Sequence, residues 1–292
     1  MTEIKYINRE TNSLETEEVP GSGAMHFLYG NPIGKFSLWF FIKRKVFSSW
    51  FGKYMSSKRS AKKIPGFVES HNIDLSQYVV PDGGFQSFND FFYRKIKADQ
   101  RPIGEGVISP ADGRILVFPT ITDASKFYVK GKTFDLIEFL RDEQLAQLFN
   151  EGSLCVVRLA PVDYHRYHFP VGGVPSESKL INGYYYSVSP IALQKNFQIF
   201  LENKREYSVL KTASHGKVLI CDVGATLTAG IQQTYVAGKS VNKGDEKGYF
   251  YFGGSTLILL FEKDAITFSK DLIENTHNGF ETLVKMGETI GK

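Results

Sequence analysis

A stretch of fifty residues without one acid is the largest gap in this sequence. Val19 to Val68 contains none of the 31 Asp and Glu but nine of the 35 Lys and Arg, so the rest of the 292-residue chain nets −5 against +4 overall. A basic segment on a mildly acidic body suits an anionic partner for that segment alone, and nucleic acid is not expected as a partner of the body. Cysteine is scarce. Cys155 and Cys221 each sit in an apolar run, which reads as a buried free thiol, and no Cys/His spacing resembles a metal site. Apolar runs never approach the ~18 residues needed to span a bilayer, so no membrane-spanning helix is expected. The first eighteen residues contain Glu3, Glu10, Glu15, Glu17 and Glu18, so an acid-poor secretory or transit peptide is not expected. Internal repeats, low-complexity blocks and sustained βαβ alternation are all missing.

What is present is an ordinary globular composition, 42% apolar and 23% charged, able to build a sizeable core. Residues 1–25 are polar and read as a tail or loose strands. The region 34–60 packs aromatic and aliphatic residues at helical spacing, among them Trp39, Ile42, Val46 and Trp50, flanked by Lys43, Arg44, Lys45, Lys53 and Lys58. An aromatic face with a basic polar side suits the headgroup layer of an anionic bilayer. Burial of the same helix against its own domain would give the same periodicity. Helices are also expected in 86–103, after a cap at Thr133, and after Ser189 with Pro190 at the first position. The remainder is strand-like: 114–118, 153–160, 181–188, 216–223, 226–236, 248–252 and 255–261. The expectation is an α+β fold, a β-rich antiparallel body with peripheral helices and an amino-terminal amphipathic helical membrane-contact segment. Residues 1–65 are expected to form the tail and basic segment, and 66–292 the main domain.

Three short segments hold the side chains suited to chemistry: SPADGRI at 109–115, APVDYHRYHFP at 160–170 and FGGSTLILLF at 252–261. Gly253 and Gly254 before Ser255 permit a tight backbone, although a plain turn does as well. His165 and His168 could act as proton carriers or be satisfied structural histidines; Pro161 and Pro170 disfavour the helix that metal binding would need. Asp112 before Gly113 suits a turn. In combination, an Asp, a His and a Ser supply an orienting carboxylate, a base and a nucleophile.

The order and wording of these segments resemble the phosphatidylserine decarboxylase family, the pyruvoyl-dependent proenzymes. The likeness runs from about Gly66 to the carboxy-terminus through SFNDFFYRKIKADQRPI, SPADGRI, RLAPVDYHRYHFP, INGYYYSV, NKRE, VGAT, KGDEKGYFYFGGST and KMGETIG. It implies self-cleavage between Gly254 and Ser255, conversion of Ser255 to a pyruvoyl cofactor that holds the substrate amine as a Schiff base, and no metal. It places an Asp-His-Ser relay on Asp112, His168 and Ser255, and a residue assisting decarboxylation on His165. It also implies phosphatidylserine in an anionic membrane as the partner, and peripheral attachment at the cytoplasmic face of a bacterial-type cell membrane, matched here by about Lys35–Lys63. The two chains made by cleavage, 1–254 and 255–292, are expected to stay together, and a homo-oligomer is allowed. Gly-Gly-Ser-Thr stands where many family members have Leu-Gly-Ser-Thr, and the Gly-Ser pair is intact.

Three other readings remain open from the sequence. A serine hydrolase using Ser255, His168 and Asp112 lacks a G-x-S-x-G elbow and the α/β alternation around it. A membrane-binding module without activity leaves the three motif segments unexplained. A pyruvoyl enzyme for a soluble amino acid has no need of the basic aromatic segment.

Overall fold

The computed structural model describes residues 4–17, 31, 45–128, 134–188, 198–224, 230–253 and 255–292. The expected helix starts at Thr133 and at Ser189–Pro190, the first part of the basic segment, and Gly254 lie outside the described residues.

Strands buried on both faces build the centre of the molecule. Strands β1 (Lys5–Asn8), β2 (Ser13–Thr16), β3 (Gly113–Phe118) and β4 (Ser153–Leu159) belong to one large sheet, whereas β5 (Arg166–His168) does not. The same large sheet takes β6 (Lys179–Ile181), β7 (Arg205–Lys211) and β8 (Lys217–Gly224). Strands β9 (Ile231–Gln233) and β10 (Glu246–Phe250) join β5 in a three-stranded sheet. Strands β11 (Ser255–Phe261) and β12 (Glu281–Val284) return to the large sheet, whose order is β6-β7-β8-β11-β4-β3-β12-β1-β2, with Val174–Pro175 added on β7. Pairing is antiparallel throughout except between β1 and β12, which run parallel. The polar amino-terminus is thus in part a hairpin on the sheet edge. Arg158 of β4 fixes its end, with Nη2 2.5 Å from both Glu17 and Glu281.

Strand β11 lies at the centre, and its two faces fill two cores. Ile258 and Leu260 pack with the short helices Leu136–Leu140 and Ile199–Glu202; Leu257, Leu259 and Phe261 pack with Tyr167, Phe169 and Phe250. A strand buried on both faces has no polar alternation, which is why STLILLF is continuously apolar. The helix expected over 134–149 is two helices. Asp135 accepts from the Glu138 amide and Asp142 from the Leu145 amide, each capping its own start, and Arg141 between them takes a φ of +49°. The stretch 181–188 forms a strand only to Ile181, with a single bridge at Tyr184.

Two helices border the end of the sheet that carries Ser255. Helix α1 (Lys45–Met55) buries Met55, half-buries Phe51 and leaves Trp50 65% exposed. Helix α2 (Phe88–Phe92) is capped by Ser87, whose Oγ accepts from the Asp90 amide, while the Asp90 carboxylate returns to the Gln86 amide. No helix among the described residues is long and apolar enough to cross a membrane.

Candidate active site

The register of four neighbouring strands brings the motif segments to one end of the large sheet. Ser255 opens β11 and stands opposite Leu159, the last residue of β4, and Gly224, the last residue of β8. On the far side of β4, Arg114 faces Arg158, so the start of β3 and Asp112 just before it lie at the same end. Gly113 is needed there: a Cβ on it would sit 2.7 Å from the Arg158 carbonyl oxygen. The segment 160–170 leaves β4 and crosses this end, giving β5, which pairs with β10 and so with the strand leading into Ser255.

Backbone bonds sew the segments together. The His168 amide donates to the Pro110 carbonyl at 2.8 Å, and the Ile108 amide to the Pro170 carbonyl at 3.0 Å. From the carboxy-terminal KMGETIG stretch, the Gly287 amide donates to Ser109 and the Met286 amide to the Asp112 carboxylate at 2.8 Å. Ahead of Ser255, Gly253 has a φ of +144°, a region that L residues rarely occupy and glycine enters at little cost. The Phe252 amide donates to Asn89 Oδ1 at 2.7 Å, and its ring meets Phe51, Phe88 and Phe92 with centroids 5.9, 5.1 and 5.0 Å away. Helix α1 thereby touches the turn that carries Ser255.

The sequence-predicted residues lie in segments that meet at this end of the sheet, and no hydrogen bond among the described residues joins Asp112, His168 and Ser255 into a chain. Asp112 is 7% exposed and held at both oxygens by Arg101, Nε at 3.0 Å and Nη2 at 2.6 Å. His168 binds the Gly244 carbonyl through Nδ1 at 2.9 Å and the Tyr164 hydroxyl through Nε2 at 3.1 Å. Burial pushes its pKa below the ordinary value, opposed by the Gly244 carbonyl and the charges of Glu246 and Asp112. Ser255 is fully buried, and its Oγ has no hydrogen-bond partner among the described residues. His165 lies over Phe92 with ring centroids 3.8 Å apart and donates from Nδ1 to the Asp163 carbonyl at 3.0 Å. Its Nε2 is likewise buried without a partner among the described residues. Burial lowers its pKa to about 3, with the nearby Arg94 charge adding to the effect, so the ring is neutral at physiological pH.

Other side chains escaped the motif reading. Arg101, in the quoted QRPI string, clamps Asp112, and Tyr164 sits inside the quoted DYHRYH string. Lys247 of β10 meets Asp222 of β8 at 2.6 Å with both side chains fully buried. Tyr167 and Gln233 donate to the same Asp222 oxygen at 3.2 and 2.7 Å. This ion pair bolts the three-stranded sheet, with its histidine strand, to the large sheet that carries Ser255. Lys247→Met leaves a buried carboxylate without its cation and is expected to cost about 3–5 kcal/mol. Lys247→Met with Asp222→Leu should cost much less, because no charge is stranded. Urea unfolding of both variants in a Ser255→Ala background, which keeps one chain, measures the difference.

No group of three or more His, Cys, Asp or Glu side chains among the described residues is arranged to hold a metal ion.

The family model described as phosphatidylserine decarboxylase matches residues 88–292. Across 291 residues the chain is 52% identical to a phosphatidylserine decarboxylase proenzyme of Fusobacterium nucleatum, covering 99% of this chain and 97% of that one. A proenzyme of the same name from Clostridium novyi is 48% identical over 291 residues, with 99% of each chain covered. One from Chlamydia muridarum is 44% identical over 293 residues, covering 99% of this chain and 97% of that one.

Proposed function

The chain belongs to the phosphatidylserine decarboxylase family, and from that premise we propose that it is a precursor that cuts itself between Gly254 and Ser255 and forms a pyruvoyl group at Ser255. Its reaction is the carboxy-lyase conversion of phosphatidylserine to phosphatidylethanolamine and CO2. The observation that carries the self-cleavage reading is the Ser255 hydroxyl, buried at the first position of a central strand and bonded to nothing among the described residues. A hydroxyl on which no hydrogen bond among the described residues depends can be consumed at little cost to the fold. The site therefore fits a pyruvoyl group at 255, with His165 Nε2 as a second buried polar atom free to serve it.

In the first reaction His168 is the base. Its Nε2 takes the proton of Ser255 Oγ, and the oxygen attacks the Gly254 carbonyl, so the peptide becomes an ester and the Ser255 nitrogen becomes an amine. Asp112, fixed by Arg101, favours the protonated imidazole through its charge. Loss of the Ser255 α-proton then expels the Gly254 carboxylate. The resulting dehydroalanine takes up water and releases ammonia, leaving the pyruvoyl group. That group supplies an electron sink for loss of CO2 from a bound amine. For the second reaction the chain supplies orientation and a proton carrier. His165 is neutral, with Nδ1 committed to the Asp163 carbonyl, so Nε2 is the atom that takes the proton given up by the substrate's ammonium group and returns it to the carbon that lost its carboxylate.

Cleavage gives chains 1–254 and 255–292, and the fold favours their staying together. Strand β11 lies between β8 and β4, and β12 between β3 and β1, so both strands that the short chain gives to the large sheet have large-chain neighbours on either side, and Thr289–Gly291 pairs with Val107–Ile108. Leu257, Ile258, Leu259, Leu260 and Phe261 are fully buried, each contributing about 1.5–3 kcal/mol.

The amino-terminal unit, through about residue 65, is the membrane-facing part of this proposal, and 66–292 the catalytic domain. Trp50 and Tyr54 are exposed on α1, and Lys53, Lys58, Lys62 and Lys63 lie on or just after it. Phe51 of the same helix packs on Phe252, so a headgroup layer at α1 is close to the Ser255 turn. The location that follows is peripheral, on the cytoplasmic face of a cell membrane. CO2 release from vesicles containing phosphatidylserine tests this reading. Release should fall as salt screens the basic segment, and free serine should not be turned over. Turnover of free serine, or salt-independent turnover of vesicles, counts against it.

A further inference from the structure

The partners of His168 point to a restraint on the self-cleavage proposed above, on which this inference rests. A neutral imidazole has one N–H and one lone pair. The Gly244 carbonyl can only accept, so Nδ1 carries the hydrogen and Nε2 carries the lone pair. The Tyr164 hydroxyl at 3.1 Å is therefore the donor to Nε2. Both sides of this arrangement are built in. The turn carrying Gly244 is pinned by its amide to the Phe169 carbonyl at 2.9 Å, and by the Asn242 amide to Asp245. Tyr164 is 2% exposed, and its ring lies beside those of His168 and Tyr78. Burial raises the pKa of its phenol, which keeps the donor protonated.

Nε2 is the only basic atom His168 offers, and it has one lone pair. The Ser255 hydroxyl, which must deliver its proton there, is bonded to nothing among the described residues. We propose that Tyr164 is a positioning residue that occupies the base nitrogen of His168 in the uncut chain, so that self-cleavage waits on displacement of its hydroxyl by that of Ser255. The same bond sets the ring's orientation together with Gly244, so His168 is held without a bond to Asp112.

The charged groups facing His168 are Glu246 across the strand pair, Asp112 from the preceding motif and Arg166 on its own strand. Arg166 pairs with Glu246 at 2.8 Å and Asp112 with Arg101 at 2.6 Å. Tyr164→Phe leaves all four in place and removes only the hydroxyl. Full-length chain made by cell-free synthesis, then chased from about pH 5 to pH 9, reads the rate at which the 255–292 fragment appears. At the alkaline plateau Tyr164→Phe should cut about three- to tenfold faster, the equivalent of one hydrogen bond. Its acid limb should also move to higher pH. A bond donated to the neutral ring lowers the ring's pKa, so losing it raises the pKa, and cleavage needs the neutral ring. A plateau that is unchanged or slower, as a tyrosine relay or a purely structural tyrosine would give, overturns the proposal, and so does an unmoved acid limb.

A second measurement does not depend on cleavage. In the uncut Ser255→Ala chain, nitrogen-15-labelled histidine should report His168 as the Nδ1–H tautomer, titrating at lower pH than in Ser255→Ala with Tyr164→Phe. Equal titration in the two chains overturns the restraint even if the wild-type chain never cuts itself, a result that would separately defeat the function proposed above.

Discussion

Replacing Ser255 with alanine is expected to leave one uncut chain of 292 residues with no decarboxylase activity. The hydroxyl has two successive tasks under this account. It attacks the Gly254 carbonyl, and its departure with the new Gly254 carboxylate then creates the pyruvoyl carbon skeleton. Alanine can do neither, so the loss is complete rather than graded. Folding should be nearly untouched, because Ser255 Oγ makes no hydrogen bond among the described residues and alanine removes only an unsatisfied buried oxygen. The variant should melt at or slightly above the temperature of a His168→Ala chain that also stays uncut. Intact mass, CO2 release from phosphatidylserine vesicles and thermal melting check the three parts. Residual activity in an uncut Ser255→Ala chain would mean that the chemistry does not pass through this residue.

The second large effect separates the two histidines. His165→Ala should cut itself at the normal rate and then turn over about 10²–10⁴-fold more slowly, the usual contribution of a positioned proton carrier. His168→Ala should stop at the uncut precursor. The division follows from their surroundings. Both histidines bond by backbone to the strand leading to Ser255, but only His168 is also joined to the Asp112 segment, whereas His165 faces Phe92 with an Nε2 that has no hydrogen-bond partner among the described residues. With its pKa near 3, His165 is neutral across the working range, so its own titration should put no limb on the turnover profile between about pH 5 and pH 8. The His165→Ala profile should keep the wild-type shape at lower height. Normal turnover by a normally cut His165→Ala chain would remove His165 from the reaction.

Much of this molecule could be read from residue order alone, and the reasons are physical. Strands β3, β4, β8 and β11 are buried on both faces, so their runs of Leu, Ile and Val declare themselves within a residue or two. The two helices at 136–148 read as one because hydrophobic spacing continues across Arg141; the Asp135 and Asp142 caps held the signal of two starts. The parallel pairing of β1 with β12 joins residues more than 270 positions apart, and no local pattern encodes such a contact. In the site, Asp112, His165, His168 and Ser255 were nameable because short motifs hold them. Their partners were not. Arg101 and Tyr164 both lie inside quoted motifs, yet a string cannot say which of its polar residues turns toward a carboxylate or an imidazole. The Gly244 carbonyl, which fixes the tautomer of His168, is backbone and invisible to any reading of side chains. The buried Lys247–Asp222 bolt would have required knowing that β10 folds over β8.

Intact mass of the purified wild-type protein tests the central claim most directly. Two chains are expected, 1–254 with an ordinary carboxylate at Gly254, and a 38-residue chain 255–292 whose first residue has the mass of a pyruvoyl group instead of serine. An active preparation consisting of a single 292-residue chain with an unmodified Ser255 would contradict it.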